Sequence, residues 1–469
     1  MLTKTDFLLY LDSPLHLWHK THGGKFKEPS SFELFLRTQG YEVERLAEKY
    51  LKKHVLPQYG KGYVLKFQEK YIDGEYSAIS DVVIENTKTG EIDLYEIKSS
   101  ASIKEKHEWD ASFQRVVCKA SKKVGKVFIL IINNEYRLEG DLDISKLFSL
   151  NEITDKAEMV EDVIMEKRKK ALAVTKQESA EKLESCDSPK DCPCVEVCHG
   201  DLGDDSIHAI SGIRKKLKQE LSELGIKLIK DIPSDLELPA GIRFIVDLIN
   251  NQHVHVDKDK LSLEMDRLIF PLYFLDYETI NYAVPRHEGY KAFQHVVFQY
   301  SLHVLEDKNG EMKHYEYIST DTEEPLKGLL ECLNEDIGDT GSIVVWHKSF
   351  EKGRNKEMAL LCPEHKEFLE KVDERVYDLM DIVSKKYYAH YKFKGSSSIK
   401  NVLPVLAPDL SYRDLEISDG SMAMIQYMEM IDDKKSEQKK TIIKNSLLEY
   451  CKLDTYGMYV VWKYLMGVV

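Results

Sequence analysis

Leu272–Thr279 reads LYFLDYET, a run of apolar and aromatic residues carrying two acids, Asp276 and Glu278. In a strand, residues i and i+2 leave the same face, so both carboxylates would project from one side of a buried segment. Burying two unpaired negative charges close together is costly, and a divalent cation removes that cost. Oxygen donors of this kind suit Mg²⁺ or Mn²⁺. The plainer alternative is an edge strand whose acids face water. Two later stretches favour the metal site. Ser342–Glu351 (SIVVWHKSFE) is an apolar run that ends in an acid, Glu351. Leu447–Asp454 (LLEYCKLD) is helix-like, and its Tyr450 and Asp454 are four apart on one face.

A second set lies nearer the start. Tyr63–Tyr71, Tyr76–Ile84 and Ile92–Ile97 alternate like strands, joined by turns at Asp73-Gly74 and Thr89-Gly90. Asp81 sits on the second strand, and Glu96 and Lys98 share one face of the third. Two acids can hold a cation, while a lysine beside them lowers the cost of negative charge on an attacking water and a scissile phosphate. The alternative is a surface Glu–Lys pair, which is common. Asp110–Val117 reads as a helix that brings Gln114 after these strands, and Gly40–Leu51 as an amphipathic helix carrying Glu44 and Glu48.

A third cluster is Cys186–Cys198 (CDSPKDCPCVEVC), holding Cys186, Cys192, Cys194 and Cys198. In a cytosolic chain such a cluster reads as metal or iron–sulfur binding before disulfide. Cys332, Cys362 and Cys451 are isolated and read as core residues.

These residues need a scaffold, and 469 residues allow two to four domains. The chain is 43% hydrophobic and 31% charged, and no stretch approaches the ~20 apolar residues of a membrane span. Met1–Leu11 lacks the features of a secretory signal, so a cytoplasmic location without membrane partners is expected. A net charge of −14 argues against a nucleic-acid coat protein. It does not argue against a protein whose acidic site meets phosphate only locally. Basic clusters at Lys104–Lys106, Lys119–Lys126, Lys167–Lys170 and Arg214–Lys218 are solvated faces or local phosphate contacts. Helical patterns over Glu152–Glu184, Ile207–Leu224 and Ala240–Asn250 predict a helical connector between two α/β domains.

The acid pair, the acid after a second strand and Tyr-x-x-x-Asp on a late helix resemble the DEDD exonucleases of the DnaQ type, in their tyrosine subclass. The resemblance spans about residues 269–465, with Ser396–Leu406 matching the helix between the second and third motifs. It implies an RNase H-like fold and two-metal hydrolysis from a 3′ end. Asp276, Glu278, Glu351 and Asp454 would hold the ions, and Tyr450 would orient the water. Glu351 departs from the aspartate usual there.

The earlier pattern resembles the PD-(D/E)XK nucleases of the RecB type over about residues 2–148. That implies a restriction-endonuclease-like fold in which Asp81, Glu96 and Lys98 are catalytic, the two acids hold metal, Gln114 is an auxiliary contact and Glu44 an extra ligand. Cys118 stands where many relatives have tyrosine. Several such nucleases carry an iron–sulfur cluster, and Cys186, Cys192 and Cys198 match its late trio. The expected early cysteine is replaced by Ser13, before Pro14. Cys194, His199 or Cys118 could supply a fourth ligand to a 4Fe-4S cluster or Zn²⁺, or the cluster has been lost.

Both patterns in this order resemble a largely uncharacterised bacterial and phage family. The expected division is a nuclease domain with its cysteine cluster over 1–200, a connector over 201–262 and an exonuclease domain over 263–469. The expected function is metal-dependent hydrolysis of nucleic acid, DNA before RNA, in repair, recombination or defence. The alternatives are an RNA-processing exonuclease or a nucleic-acid-binding scaffold with one dead site.

Overall fold

Runs rich in Val, Ile and aromatic residues form two larger sheets, as their β propensity requires. A computed structural model describes Met1–Val469 apart from Asp187, Lys190, Asp201, Asp321 and Asp433, and apart from the side chain of Asp414. The architecture is mixed α/β. The chain divides into two compact units, Met1–Asp201 with Asn281–Gln294, and Leu202–Ile280 with His295–Val469. No helix among the described residues is long and apolar enough to cross a membrane.

Unit 1 is built on β1 (Leu2–Thr3), α1 (Lys4–Asp12), α2 (Pro14–Thr21), α3 (Ser31–Tyr50), β2 (Tyr63–Asp73), β3 (Tyr76–Asn86), β4 (Ile92–Lys98), α4 (Glu105–Cys118), β5 (Val124–Ile132), β6 (Phe148–Glu152) and α5 (Glu161–Thr175). β2, β3 and β4 pair antiparallel, β5 joins β4 in parallel, and β6 returns antiparallel to β5. The parallel step needs a crossover, and α4 supplies it. Strand alternation sends Val82 and Ile84 to one face with Val43, Ala47 and Leu51. It sends Val83 to the other with Phe7, Phe113, Val117 and Ile164. The first of these clusters is completed by Ala283, Val284 and Ala292 from the later segment. That segment is fastened by Gln39 Oε1, which accepts from Ala283 N, and by Leu138 N, which donates to Tyr290 O at 3.0 Å.

In unit 2, residues 202–262, expected as a connector, carry helices Lys215–Glu223 and α6 (Ala240–Asn250). They bury Ile207, Ile213, Leu221, Ile229 and Val246 in a cluster of their own. The sheet that follows consists of β7 (Leu272–Asn281), β8 (His295–Leu305), β9 (Met312–Ile318), β10 (Ser342–Val345) and β11 (Val376–Asp378), in the order β9-β8-β7-β10-β11. β8 and β9 are antiparallel, and β10 runs parallel to both β7 and β11. α7 (Lys348–Leu361), α8 (Ile399–Leu406) and the 32-residue α9 (Glu437–Val468) pack around it. The middle of α9 is tied to β8: Gln299 Nε2 donates to Leu447 O at 2.9 Å, and Thr455 Oγ1 lies 2.8 Å from both Ser301 Oγ and His303 Nδ1. β7 is therefore a central strand, buried along nearly its whole length.

Candidate active sites

Unit 2 gathers four carboxylates in one cleft of about 270 Å³, lined by Asp276, Glu278, Glu351, Tyr450 and Asp454 with Trp346, His347 and Phe350. Each arrives by a local rule. Asp276 and Glu278 leave one face of β7, Glu351 lies in the first turn of α7 just after β10, and Tyr450 and Asp454 are a helical turn apart on α9. The Tyr277 hydroxyl donates to Asn355 Oδ1 at 3.0 Å, which ties α7 to β7 one turn beyond Glu351.

The acids are poorly hydrated and close-set. Glu278, Glu351 and Asp454 expose 8%, 3% and 7% of their surface. Burial, then the charges of Asp454, Glu278 and Glu351, hold the Asp276 carboxyl well above its usual range. Burial, then Asp454, pushes Glu278 to about 8. Burial pushes Glu351 to about 8 and Asp454 to about 6. Glu351 Oε2 is buried without a hydrogen-bond partner among the described residues. One oxygen each of Asp276 and Glu278 and the Cys451 sulfur lie within 4.8 Å of one another.

Two neighbours are absent from the sequence reading. Lys400, on α8, donates to the Tyr450 hydroxyl at 3.0 Å and stands 5.1 Å from that ring's centroid. Tyr412 donates to Asp454 Oδ1 at 2.7 Å. A lone lysine in SSSIKNVLPVL and a tyrosine 42 residues before Asp454 carry no spacing signal.

Unit 1 brings together the residues expected of its site. The β3/β4 register pairs Val82 with Tyr95, which extends to Asp81 opposite Glu96. Asp81 Oδ2 accepts from Ile97 N at 2.9 Å. Lys98 Nζ donates to Glu96 Oε1 and to Asp110 Oδ2, both at 2.6 Å. Gln114 Nε2 donates to Glu96 Oε2 at 2.6 Å and to Asp110 Oδ1 at 2.9 Å. Glu44 accepts from Gln68 Nε2 at 2.7 Å and lines the same cleft as Asp81 and Glu96, of about 460 Å³, with Arg37 and Tyr41. Asp110, one turn before Gln114, and Lys4, at the start of α1, are additions. Lys4 Nζ stands 3.1 Å from Glu96, 3.6 Å from Asp110 and 3.8 Å from Asp81. Burial disfavours the Lys4 and Lys98 charges, but the surrounding carboxylates outweigh it and hold both pKa values above the usual lysine range. Burial, then Glu96, raises Asp110.

Also in unit 1, Cys186, Cys192, Cys194 and Cys198 lie close together, an arrangement able to bind a metal. Ser13 does not join them. It caps α2 and donates to Glu184 O at 2.8 Å. His16, in the first turn of α2, reaches the cluster instead, its Nε2 3.3 Å from Cys192 Sγ. Cys118 lies elsewhere, 3.9 Å from Ser80 Oγ. His199 Nε2 lies 3.1 Å from Cys186 Sγ. Contact with Cys198, then burial, pushes the Cys186 thiol up to about 12.

Comparison with known proteins adds relatives but no activity. A family described as a domain of unknown function, DUF2779, matches residues 273–398, a stretch that holds Asp276, Glu278 and Glu351 and stops short of Lys400, Tyr450 and Asp454. An uncharacterised protein of Mycoplasma pneumoniae is 28% identical over 208 residues, covering 39% of this chain and 30% of the relative. One of Mycoplasma genitalium is 24% identical over 246 residues, covering 49% and 37%. One of Ureaplasma parvum is 25% identical over 222 residues, covering 42% and 31%. The matches thus span about a third of the length of these curated relatives. No solved structure matches the chain.

Proposed function

We propose that this chain is a divalent-metal-dependent nuclease whose unit 2 trims nucleic acid from 3′ ends. The observation that carries the reading is the convergence of Asp276, Glu278, Glu351 and Asp454 on one cleft with Lys400 beside them. The donors are hard oxygens, and Glu351 Oε2, buried without a hydrogen-bond partner among the described residues, adds to the demand for a cation. The residues therefore fit Mg²⁺ or Mn²⁺. Bound there, such ions would supply an activated water and screen the charge of a scissile phosphate. The strand order, with the acid pair on central β7, supports an RNase H-like reading of unit 2.

The side chains around the acids have definable roles. Lys400 donates to the Tyr450 oxygen, which leaves the phenolic proton free to be given to a water or phosphate oxygen in the cleft. Burial and the nearby carboxylates hold the Tyr450 pKa above its usual value, so it keeps that proton at neutral pH. Tyr412 holds one oxygen of Asp454, which steadies that carboxylate in the cleft. DNA is the proposed substrate, on the likeness of unit 1 to RecB-type nucleases. The Asp81, Glu96, Lys98 and Gln114 arrangement on β3, β4 and α4 supports the PD-(D/E)XK reading.

A second reading, in which unit 1 binds without cutting, is favoured by Lys4. Its ammonium stands within 3.8 Å of Asp81, Glu96 and Asp110, so these acids are paired with protein charge at close range, whereas Lys400 only partly offsets the acids of unit 2. The test is hydrolysis of end-labelled DNA and RNA, single- and double-stranded, with Mg²⁺ or Mn²⁺, by the full chain and by Asp276→Asn and Asp81→Asn separately. Loss of 3′ trimming in Asp276→Asn alone supports the proposal. Cleavage indifferent to both substitutions, or no divalent-dependent cleavage of any substrate, removes it.

A further inference from the structure

Three sulfurs and one imidazole nitrogen, from His16, Cys186, Cys192 and Cys198, all lie within 4.8 Å of one another. His16 comes from α2 and the cysteines from a segment some 170 residues later, so the fold itself assembles the set. His16 is 3% exposed and Cys192 4%. The second ring nitrogen of His16, Nδ1, is buried without a hydrogen-bond partner among the described residues. Among the described residues its ring therefore meets polar partners only through Nε2, on the side of the sulfurs, and an imidazole nitrogen grouped with three thiols is a zinc donor set.

We propose that this chain holds a single tetrahedral Zn²⁺ on His16 Nε2 and the sulfurs of Cys186, Cys192 and Cys198. A zinc ion stands about 2.3 Å from sulfur and about 2.0–2.1 Å from nitrogen, which puts neighbouring ligand atoms roughly 3.5–3.8 Å apart. The 3.3 Å between His16 Nε2 and Cys192 Sγ, and the 4.8 Å bound on the whole set, are of that scale. An iron–sulfur cubane does not fit: its four irons and four sulfides must stand between the ligands and hold them much farther apart. The imidazole in place of a fourth thiolate agrees with the smaller occupant. Cys194 Sγ approaches Cys198 Sγ at 3.7 Å and His199 Nε2 approaches Cys186 Sγ, so each borders one ligand of the set.

The ion would clasp the start of unit 1 to its end. The surrounding contacts already run that way: Ser13 Oγ to Glu184 O at 2.8 Å, Trp18 Nε1 to Gln177 O at 2.9 Å, and Lys27 N to Pro193 O at 2.8 Å. Closing so long a loop costs chain entropy, and metal-ligand bonds offset it as folding free energy. The same clasp fixes α2 and, through it, α1, the helix that delivers Lys4 to the acids.

The test uses the full chain, purified aerobically and anaerobically in separate batches. Elemental analysis should find about one zinc per chain, released by a thiol-specific mercurial, which carboxylate-bound ions would not be. The Co²⁺-substituted protein should show the strong visible bands of a tetrahedral thiolate site. His16→Ala and Cys192→Ser should weaken binding by roughly 100-fold or more, beyond the loss caused by removing an outer partner alone. His16→Cys should keep the ion and intensify the sulfur-to-cobalt band, which separates a lost ligand from a misfolded chain. Cys194→Ser should leave stoichiometry and spectrum unchanged. Iron with acid-labile sulfide in the anaerobic protein overturns the proposal. So does wild-type protein without mercurial-releasable zinc, or a metal kept by His16→Ala and lost by Cys194→Ser.

Discussion

The Tyr412 hydroxyl donates to Asp454 Oδ1 at 2.7 Å and so holds one acid of the unit 2 cleft toward its ionised form. Lys400 acts on Asp454 and Glu278 in the same sense through its charge. Removing either neighbour raises the carboxyl pKa values, and cation binding needs the carboxylates ionised. Tyr412→Phe and Lys400→Met should therefore shift the ascending limb of the pH–rate profile to higher pH. Lys400→Met should in addition lower kcat by about 10²-fold, because it also releases the Tyr450 hydroxyl. Steady-state kinetics from pH 6 to 9 on a labelled oligonucleotide checks both.

The raised acids make the metal-free protein sensitive to pH. Glu278 and Glu351 titrate near 8 and Asp454 near 6 when folded, against about 4 in an unfolded chain. Their folded pKa values lie above the unfolded ones, so the stability they allow is complete below about pH 4 and is lost as pH rises through 6 to 8. In EDTA, the Tm of unit 2 should fall by several degrees between pH 5.5 and 8.5. Mn²⁺ should reverse the fall, with a gain that grows with pH. Asp276→Asn should flatten the metal-free profile. Scanning calorimetry across that range reads all three.

Unit 1 should answer differently. Lys4→Ala removes a cation from among Asp81, Glu96 and Asp110, which should cost about 1–3 kcal/mol without metal and should strengthen Mn²⁺ binding there. Measured by calorimetric titration in an Asp276→Asn background, weaker Mn²⁺ binding would mean that Lys4 does not occupy cation space.

Gly341 precedes β10 with φ +94°, and a Cβ there would meet the Pro271 carbonyl oxygen at 2.1 Å. Both atoms belong to the chain leading into the β7/β10 pair, so neither can give way cheaply. Gly341→Ala should destabilise unit 2 by about 2–4 kcal/mol in urea unfolding and reduce 3′ trimming through a displaced Glu351.

The residues legible in the sequence are those whose spacing is set by one element. Asp276 with Glu278, Glu96 with Lys98, and Tyr450 with Asp454 each obey a two-residue or four-residue period, and each pair shares a face in the fold. Asp81 and Glu96 needed only a hairpin register. The illegible ones, Lys4, His16, Asp110, Lys400 and Tyr412, reach their sites by packing between remote elements. His16 had the nearest thing to a signal, standing two residues after Pro14 in the stretch where the resemblance expects a cysteine. Helix geometry hid it, because α2 begins at Pro14 and Ser13 is turned to its capping role. The later boundary was hidden likewise: Ala283, Val284 and Ala292 are unremarkable in sequence, and only the fold assigns them to the first unit's apolar cluster.

That assignment governs how the polypeptide can be divided. Because residues 281–294 leave the second unit and come back to it, the backbone passes between the two three times. A fragment ended at residue 201 would lack a wall of its own interior, and one begun at 202 would carry an apolar loop with nowhere to go. Neither unit can be cut free of the other by a single proteolytic nick.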